Sequence, residues 1–420
     1  MEVIKLRGGN KLSGKISVQG AKNAVLPMLA GCIINGGKSV IHNCPDLKDV
    51  RISFEILRHL GCRVSYENKV ATVDSSNICE STIPPELMLA MRSSVVFAGA
   101  VLNRTGKACI TYPGGCNLGH RPIDLHLRSF DKLGIIVKEE HGSILCEAPH
   151  VNPGRVFLDF PSVGATENIM LLSCRSGGVT TIINAAREPE IVDLQNFLNS
   201  MGADIKGAGT DTIEITGVKK FHDCEYSVMP DRIVASTYMA SVVSAGGSAE
   251  INDVVPNHIS AFIAVMRECG AKVVVRENSV YISSPKYIRP IKMVSTLPYP
   301  GFPTDAQSLV MSVMSTARGA SIIKENIFSS RFSLAGELIK MGADISVADK
   351  IAVVRGVRKL FGCNVNASDL RSGAALVVAA LNADGETVIS NIDYIDRGYE
   401  KLEENLCLLG ADAERVELSE

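Results

Sequence analysis

The stretch GKSVI, Gly37 to Ile41, is unremarkable alone, but the chain writes its pattern six times. Gly-x-x-x-Ile returns as GKACI from Gly106, GVTTI from Gly178, GSAEI from Gly247, GASII from Gly319 and GETVI from Gly385, with successive glycines 66 to 72 residues apart. Self-similarity on a fixed beat is the mark of a repeat architecture. A short run with alternating apolar residues behind a glycine reads as a strand.

Two further signals keep the same beat. An amphipathic helical pattern follows each copy and closes on a glycine 23 to 28 residues later, at Gly61, Gly134, Gly202, Gly270, Gly342 and Gly410. Glycine just past the last turn suits the left-handed capping conformation. Behind it come strand-like pairs such as CRVSYENKVATVD and AKVVVRENSVYISS. Ahead of each marker glycine lies a helical segment such as AVLPMLAGCII, MRSSVVFAGAVL, ASTYMASVVSA or GAALVVAAL. These are apolar or small nearly all round, and a helix with no wet face has to be enclosed by protein.

Each unit of about 70 residues therefore supplies a buried helix, a strand, an amphipathic helix and a strand pair. Six units in 420 residues predict an α/β protein of two lobes, three units each, with helices inside and sheets outside. A single solenoid is the competing architecture, but solenoid repeats are typically 20 to 45 residues long. The crossing between lobes falls in GVKKFHDCEYSVMPDR, which assigns 22–229 to one lobe and 1–21 with 230–420 to the other.

Composition excludes several functions. Forty-three basic against forty-five acidic side chains give a net charge of -2, no footprint for nucleic acid. No apolar run reaches the roughly 18 residues of a membrane span, and MEVIKLRGGN lacks the pattern of a secretory signal, so a cytoplasmic protein is expected. The twelve cysteines include no Cys-x-x-Cys pair and no zinc-like spacing, so most read as small core residues and no metal is expected.

The chemistry gathers where the buried helices open. Lys22, Arg92, Thr166, Arg232, Asp305 and Arg371 stand 12 to 15 residues before their marker glycines, equivalent positions of one unit. Helix N-termini carry unpaired N–H groups and a partial positive charge that suit anions. Lobes facing each other through these ends would gather Lys22, Arg92 and Arg371, joined by Arg331 and Arg397, in a cleft for phosphate and carboxylate groups. Asp231, Thr304, Asp369 and Asp305 can equally serve as N-caps. His120 and His126 have no partner legible in the sequence.

One cysteine stands apart. In TYPGGCNLGHRPIDLH, Cys116 sits among Gly114, Gly115 and Gly119 with Arg121 behind it. Glycines give such a loop backbone freedom, and a nearby cation favours the thiolate, so Cys116 reads equally as a buried thiol or as a reactive group on a closing lid.

Over nearly its whole length the chain resembles the enolpyruvyl transferases that act on UDP-N-acetylglucosamine. The resemblance rests on QGAKNAVLP, RSSVVFAGA, PGGCNLGHRPIDLH, SVGATENIM, NAAREPEIVDL, GFPTDAQ, SSRF, DLRSGAAL and IDRGYE. It implies two inside-out, barrel-like α/β lobes of three βαβαββ-like repeats each. It implies transfer of the enolpyruvyl group of phosphoenolpyruvate to the sugar 3-hydroxyl with loss of phosphate, the first committed step of peptidoglycan precursor synthesis. Cell-wall biogenesis, and with it cell shape and division, would follow.

By the same resemblance Cys116 would protonate the enolpyruvyl methylene and form an adduct, and Asp305 would take the hydroxyl proton. Lys22, Arg121 and Arg397 would hold phosphoenolpyruvate, with Arg92, Arg331 and Arg371 arranging the reacting region. Asn23 and Asp305 would meet the sugar, with Ile327 also at the substrate. Arg121, Pro122, Ile123, Asp124 and Leu125 would frame the uridine, and Ser162, Val163 and Gly164 the diphosphate. No cofactor or metal is implied. The chain departs from the pattern at Phe160, where some members carry a lysine near the diphosphate. The rival readings are a non-catalytic UDP-sugar-binding paralogue and a transferase acting on shikimate 3-phosphate.

Overall fold

The computed structural model describes residues 2–114 and 123–417, so Cys116, His120, Arg121 and Pro122 lie outside the described residues. The chain forms two compact units, one of residues 20–114 and 123–229, the other of 2–19 and 230–417. We call them the Lys22 unit and the Asp305 unit. Gly20 and Ala21 pack with the Lys22 unit, two residues before the boundary drawn from sequence. The reason is local: Ala21 N–H donates to Met229 O at 2.8 Å, and Gly20 lies directly against Asn43.

Five of the six Gly-x-x-x-Ile copies are the parallel-paired strand of a sheet. In the Lys22 unit, Lys38–His42 pairs in parallel with Cys224–Ser227 and antiparallel with Val70–Asp74, which carries Arg63–Glu67 at the edge. Val179–Ile183 repeats this order with Arg155–Phe157, Thr212–Thr216 and Asp204–Lys206. Lys107–Thr111 has only the antiparallel side, Ser143–Glu147 then Ile136–Glu140, and a single parallel bridge from Thr82 to Cys109 stands where the fourth strand would be.

The Asp305 unit builds the same four-strand order around Gly247–Asn252 and Ala320–Lys324. Around Glu386–Ser390 the sequence expectation needs correcting. Its strand pair is not a hairpin: Asp412–Glu417 pairs with Glu2–Arg7, which inserts between it and Glu386–Ser390. The first strand of the chain thus completes the sheet of the last repeat.

The repeat's physics is visible in burial. The six motif isoleucines, Ile41, Ile110, Ile182, Ile251, Ile323 and Ile389, are at most 1% exposed. Full burial of such a side chain is worth about 1.5–3 kcal/mol. Two residues earlier each strand turns a small residue inward, Ser39, Ala108, Thr180, Ala249, Ser321 or Thr387, all buried. Small side chains there leave room for the enclosed helices. Those helices include Lys22–Asn35, Val163–Ser173, Arg232–Ala245 and Leu370–Ala380, which are buried along nearly their whole length.

The second marker glycines all adopt positive φ, from 81° at Gly134 to 105° at Gly202, as their capping role requires. Seven of the eleven described cysteines are buried core thiols. Burial pushes Cys62, Cys146 and Cys174 up to about 12. Among the described residues no helix is long and apolar enough to cross a membrane, and no group of three or more His, Cys, Asp and Glu side chains could hold a metal.

Candidate active site

The six equivalent positions open their helices in different ways. Lys22, Arg232 and Arg371 stand in the first two positions of α-helices, whereas Arg92 and Asp305 lie in short 3-10 helices, Arg92–Val96 and Thr304–Ala306, that lead into Phe97–Thr105 and Gln307–Met314. Thr166 is the exception. It lies one turn inside Val163–Ser173, its hydroxyl donating to Ser162 O at 2.8 Å and accepting from Ala186 N–H at 3.1 Å, so it serves packing rather than the helix mouth.

In the Asp305 unit the acid is the centre of a charged cluster. Asp305 Oδ1 accepts from Arg371 Nε–H at 3.0 Å and from Arg331 Nη2–H at 3.1 Å. Both arginines are buried, and Arg331 also reaches Asp369 Oδ1 at 3.5 Å and donates to Thr304 Oγ1 at 3.3 Å. Burial pushes the Asp305 pKa up, but the guanidiniums of Arg371, Arg331 and Arg232 overcome this and hold it well below the usual carboxylate range. Burial likewise opposes the charge on Arg371, and Asp305 more than restores it.

The capping alternative divides these residues. Asp231 accepts from Ile233 and Val234 N–H, and Asp369 forms a full capping box with Ser372, so both are caps. Thr304 is not one: its hydroxyl donates to Glu325 Oε2 at 3.0 Å. Glu325, 2% exposed, was not legible in the sequence. It also accepts from Thr296 and from the backbone N–H groups of Ile327 and Phe328, at 2.7 and 3.0 Å, and so fixes the segment carrying Ile327. Arg397 ends the 3-10 helix Ile392–Arg397 and is half-buried.

In the Lys22 unit the cation is matched by a partner that sequence reasoning missed. Lys22 Nζ lies 2.6 Å from Asp49 Oδ2, with side chains 10% and 2% exposed. Asn23 follows it and is half-buried; its carbonyl faces position 27, where Pro27 has no N–H to offer, so one α-helical bond is missing beside the site. Arg92 is half-buried and its charge acts on His126.

His126 has a defined place after all. Asn168 Oδ1 accepts from Gly99 N–H at 2.7 Å while its amide nitrogen donates to Val95 O at 3.0 Å. The amide nitrogen also faces His126 Nδ1 at 2.7 Å, and it can only donate, so Nδ1 accepts and the imidazole proton sits on Nε2. Burial first, then Arg92, pushes the His126 pKa down to about 3, and the ring is neutral. It packs against Gly164, where an added Cβ would meet His126 Cε1 at 3.0 Å.

That contact lies in the first turn of Val163–Ser173, whose N-cap Ser162 accepts from Ala165 N–H at 3.4 Å. Val163 and Gly164 N–H groups stand in the first turn, where a helix leaves its donors unsatisfied. Of the uridine frame expected from sequence, Ile123 is a core side chain at 1% exposure, Asp124 pairs with Arg128 at 3.4 Å, and Leu125 packs partly against the core. Phe160 is 44% exposed.

Fold and site define a class, the carboxyvinyl (enolpyruvyl) transferases: residues 6–406 match the family described as EPSP synthase (3-phosphoshikimate 1-carboxyvinyltransferase), and the chain belongs to that family. A UDP-N-acetylglucosamine 1-carboxyvinyltransferase 2 from Caldanaerobacter subterraneus subsp. tengcongensis is 50% identical over 416 residues, covering 99% of this chain and 100% of that protein. A second protein of that name, from Carboxydothermus hydrogenoformans, is 45% identical over 99% of this chain and 100% of its own length. The enolpyruvyl transferase NikO of Streptomyces tendae superposes with a TM-score of 0.89 at 25% identity over 99% of this chain and 98% of that one. EPSP synthase of Acinetobacter baumannii shares the fold, with a TM-score of 0.75 at 17% identity over 99% of this chain and 100% of that one.

Proposed function

We propose that the chain transfers the enolpyruvyl group of phosphoenolpyruvate to the 3-hydroxyl of UDP-N-acetylglucosamine, releasing phosphate, in peptidoglycan precursor synthesis. The observation that carries this is Asp305 held between Arg371 and Arg331 at the head of a buried helix, in a chain half identical end to end to a protein of that name. The reaction adds the sugar oxygen to the enol carbon, with a proton to the methylene carbon, and then eliminates phosphate with loss of a methyl proton.

Asp305 is the base that accepts the hydroxyl proton. With three guanidiniums acting on it, its carboxylate is a weak base in the free chain. An anionic substrate beside those guanidiniums spends their charge on itself, so the proton affinity of Asp305 rises when the substrate arrives. The base is thereby switched on by binding. Cys116 protonates the methylene carbon. Lys22, Arg121 and Arg397 hold phosphoenolpyruvate, and Arg92, Arg331 and Arg371 set the reacting region, so developing charge meets groups already in place.

Asn23 and Ile327 contact the sugar side, residues 121–125 the uridine, and Ser162, Val163 and Gly164 the diphosphate. The first-turn N–H groups take the share that a lysine in place of Phe160 carries elsewhere in the family. We place the protein in the cytoplasm.

The test is phosphate release from phosphoenolpyruvate with and without UDP-N-acetylglucosamine, and with shikimate 3-phosphate in its place. Release only with the UDP-sugar is expected. Release without it, release with shikimate 3-phosphate instead, or none at all overturns the reading. Cys116→Ser should remove most turnover at neutral pH while leaving the thermal midpoint and UDP-sugar binding nearly unchanged.

A further inference from the structure

Arg397 is held from both sides along the chain. On the upstream side, its neighbour Asp396 receives two hydrogen bonds from Arg415, Nη1–H to Oδ2 at 2.9 Å and Nη2–H to Oδ1 at 2.6 Å. The third edge of the same guanidinium, Nε–H, donates to Glu403 Oε1 at 2.8 Å, and Glu403 is 4% exposed. Glu2 adds a longer contact at 3.4 Å. A planar fork with both ends satisfied fixes orientation as well as charge. Arg415 is itself anchored, because it lies on Asp412–Glu417 opposite Ile4 of the first strand.

On the downstream side the anchor is Gln19, 7% exposed. Its Nε2–H donates to Gly398 O at 3.2 Å and its Oε1 accepts from Glu400 N–H at 2.8 Å. One side-chain amide thus exchanges both kinds of bond with the backbone on either side of Tyr399, as a neighbouring strand would. Gln19 is in turn tied to Asp231, whose N–H donates to Gln19 O at 2.9 Å. Tyr399, 2% exposed, closes the arrangement through a 2.9 Å hydrogen bond between its hydroxyl and Thr237.

A surface arginine needs none of this. A cation that must meet a substrate anion at a set place does, because misplacement by about an ångström can cost on the order of a hundredfold in rate. We infer that Gln19 and Arg415 are positioning residues for Arg397, fixing the backbone at 396–400 so that its guanidinium is preset for an anionic carboxylate- and phosphate-bearing substrate. The inference rests on the reading of Arg397 as a phosphoenolpyruvate-holding cation. Neither residue is among those assigned to substrate contact.

The test is steady-state kinetics of Gln19→Met, which keeps size and loses both hydrogen bonds, and of Arg415→Met and Arg415→Lys. For both methionine variants the KM for phosphoenolpyruvate should rise on the order of tenfold while that for UDP-N-acetylglucosamine stays within about twofold, with Arg415→Lys falling between. Hydrogen exchange at Glu400 N–H should speed up in Gln19→Met. An unchanged phosphoenolpyruvate KM overturns the inference while leaving the proposed reaction intact. Equal rises in both KM values with a lower thermal midpoint make the contacts merely structural and also overturn it. A wild type that releases no phosphate with the UDP-sugar sinks the reaction and the inference together.

Discussion

Lys22 Nζ sits 2.6 Å from Asp49 Oδ2, so a cation assigned to the substrate already has a buried counter-charge from the amphipathic helix Lys48–His59. Removing one member of such a pair leaves a charge that burial penalises. Asp49→Asn should therefore lower stability by about 3 kcal/mol, read from the urea midpoint, because breaking a buried pair typically costs 3–5 kcal/mol. Replacing both residues with apolar ones should recover most of that loss. A single-variant effect under about 1 kcal/mol would show the pair to be well solvated.

The Asp305 cluster predicts a pH dependence with a definite sign. The carboxylate's folded pKa lies below its unfolded one, so the stability it brings is fully present above the ordinary carboxylate range and is lost as pH falls through and below it. Arg371→Met removes the strongest of the neighbouring charges and should raise the Asp305 pKa toward the ordinary carboxylate range. Carbon-13 titration of the Asp305 carboxyl checks this. Arg371→Met should also reduce turnover, which the titration separates from the electrostatic effect.

His126 gives a second titration. Its folded pKa of about 3 lies below the ordinary value of 6.5, so the unfolded chain binds the extra proton first. Its contribution is complete above about 6.5 and declines as pH falls toward 3, by at most about 1.4 kcal/mol per pH unit. His126→Gln should flatten the acid limb of the stability profile by roughly one proton between those values. An unchanged slope would mean that the ring is charged in the folded chain.

Glycine substitutions should separate backbone strain from crowding. At Gly410, φ is 99° and an added Cβ would meet only Lys11 O at 3.6 Å, so Gly410→Ala should cost only the left-handed backbone penalty, about 1 kcal/mol. At Gly61, φ is 103° and the same Cβ would meet Asn77 O at 2.5 Å. Gly61→Ala should cost at least about 2 kcal/mol more, since the obstacle is main chain and cannot swing aside. Equal losses in thermal denaturation would refute the distinction.

Much of this was legible in the sequence because it depends on local rules. The beat of Gly-x-x-x-Ile, the buried isoleucines and the positive-φ glycines follow from strand alternation and helix capping, which are set within a few residues. The helix mouths were legible for the same reason, as were the cations that crowd them. Thr166 was misplaced because a count from a marker glycine cannot see one extra turn of helix. The sixth sheet was misread because strand pairing is a long-range choice, and nothing near residues 412–417 names Glu2–Arg7 as the partner.

The sequence by itself determined the repeating unit, the enclosed helices and the cast of charged residues, since each is encoded by the spacing of neighbours along the chain. Only the tertiary structure decided what each charge faces: Asp49 for Lys22, two arginines for Asp305, Asn168 for His126, Gln19 and Arg415 around Arg397. An ionisable group's behaviour depends on burial and on partners within a few ångströms, and those partners are brought there from tens to hundreds of residues away.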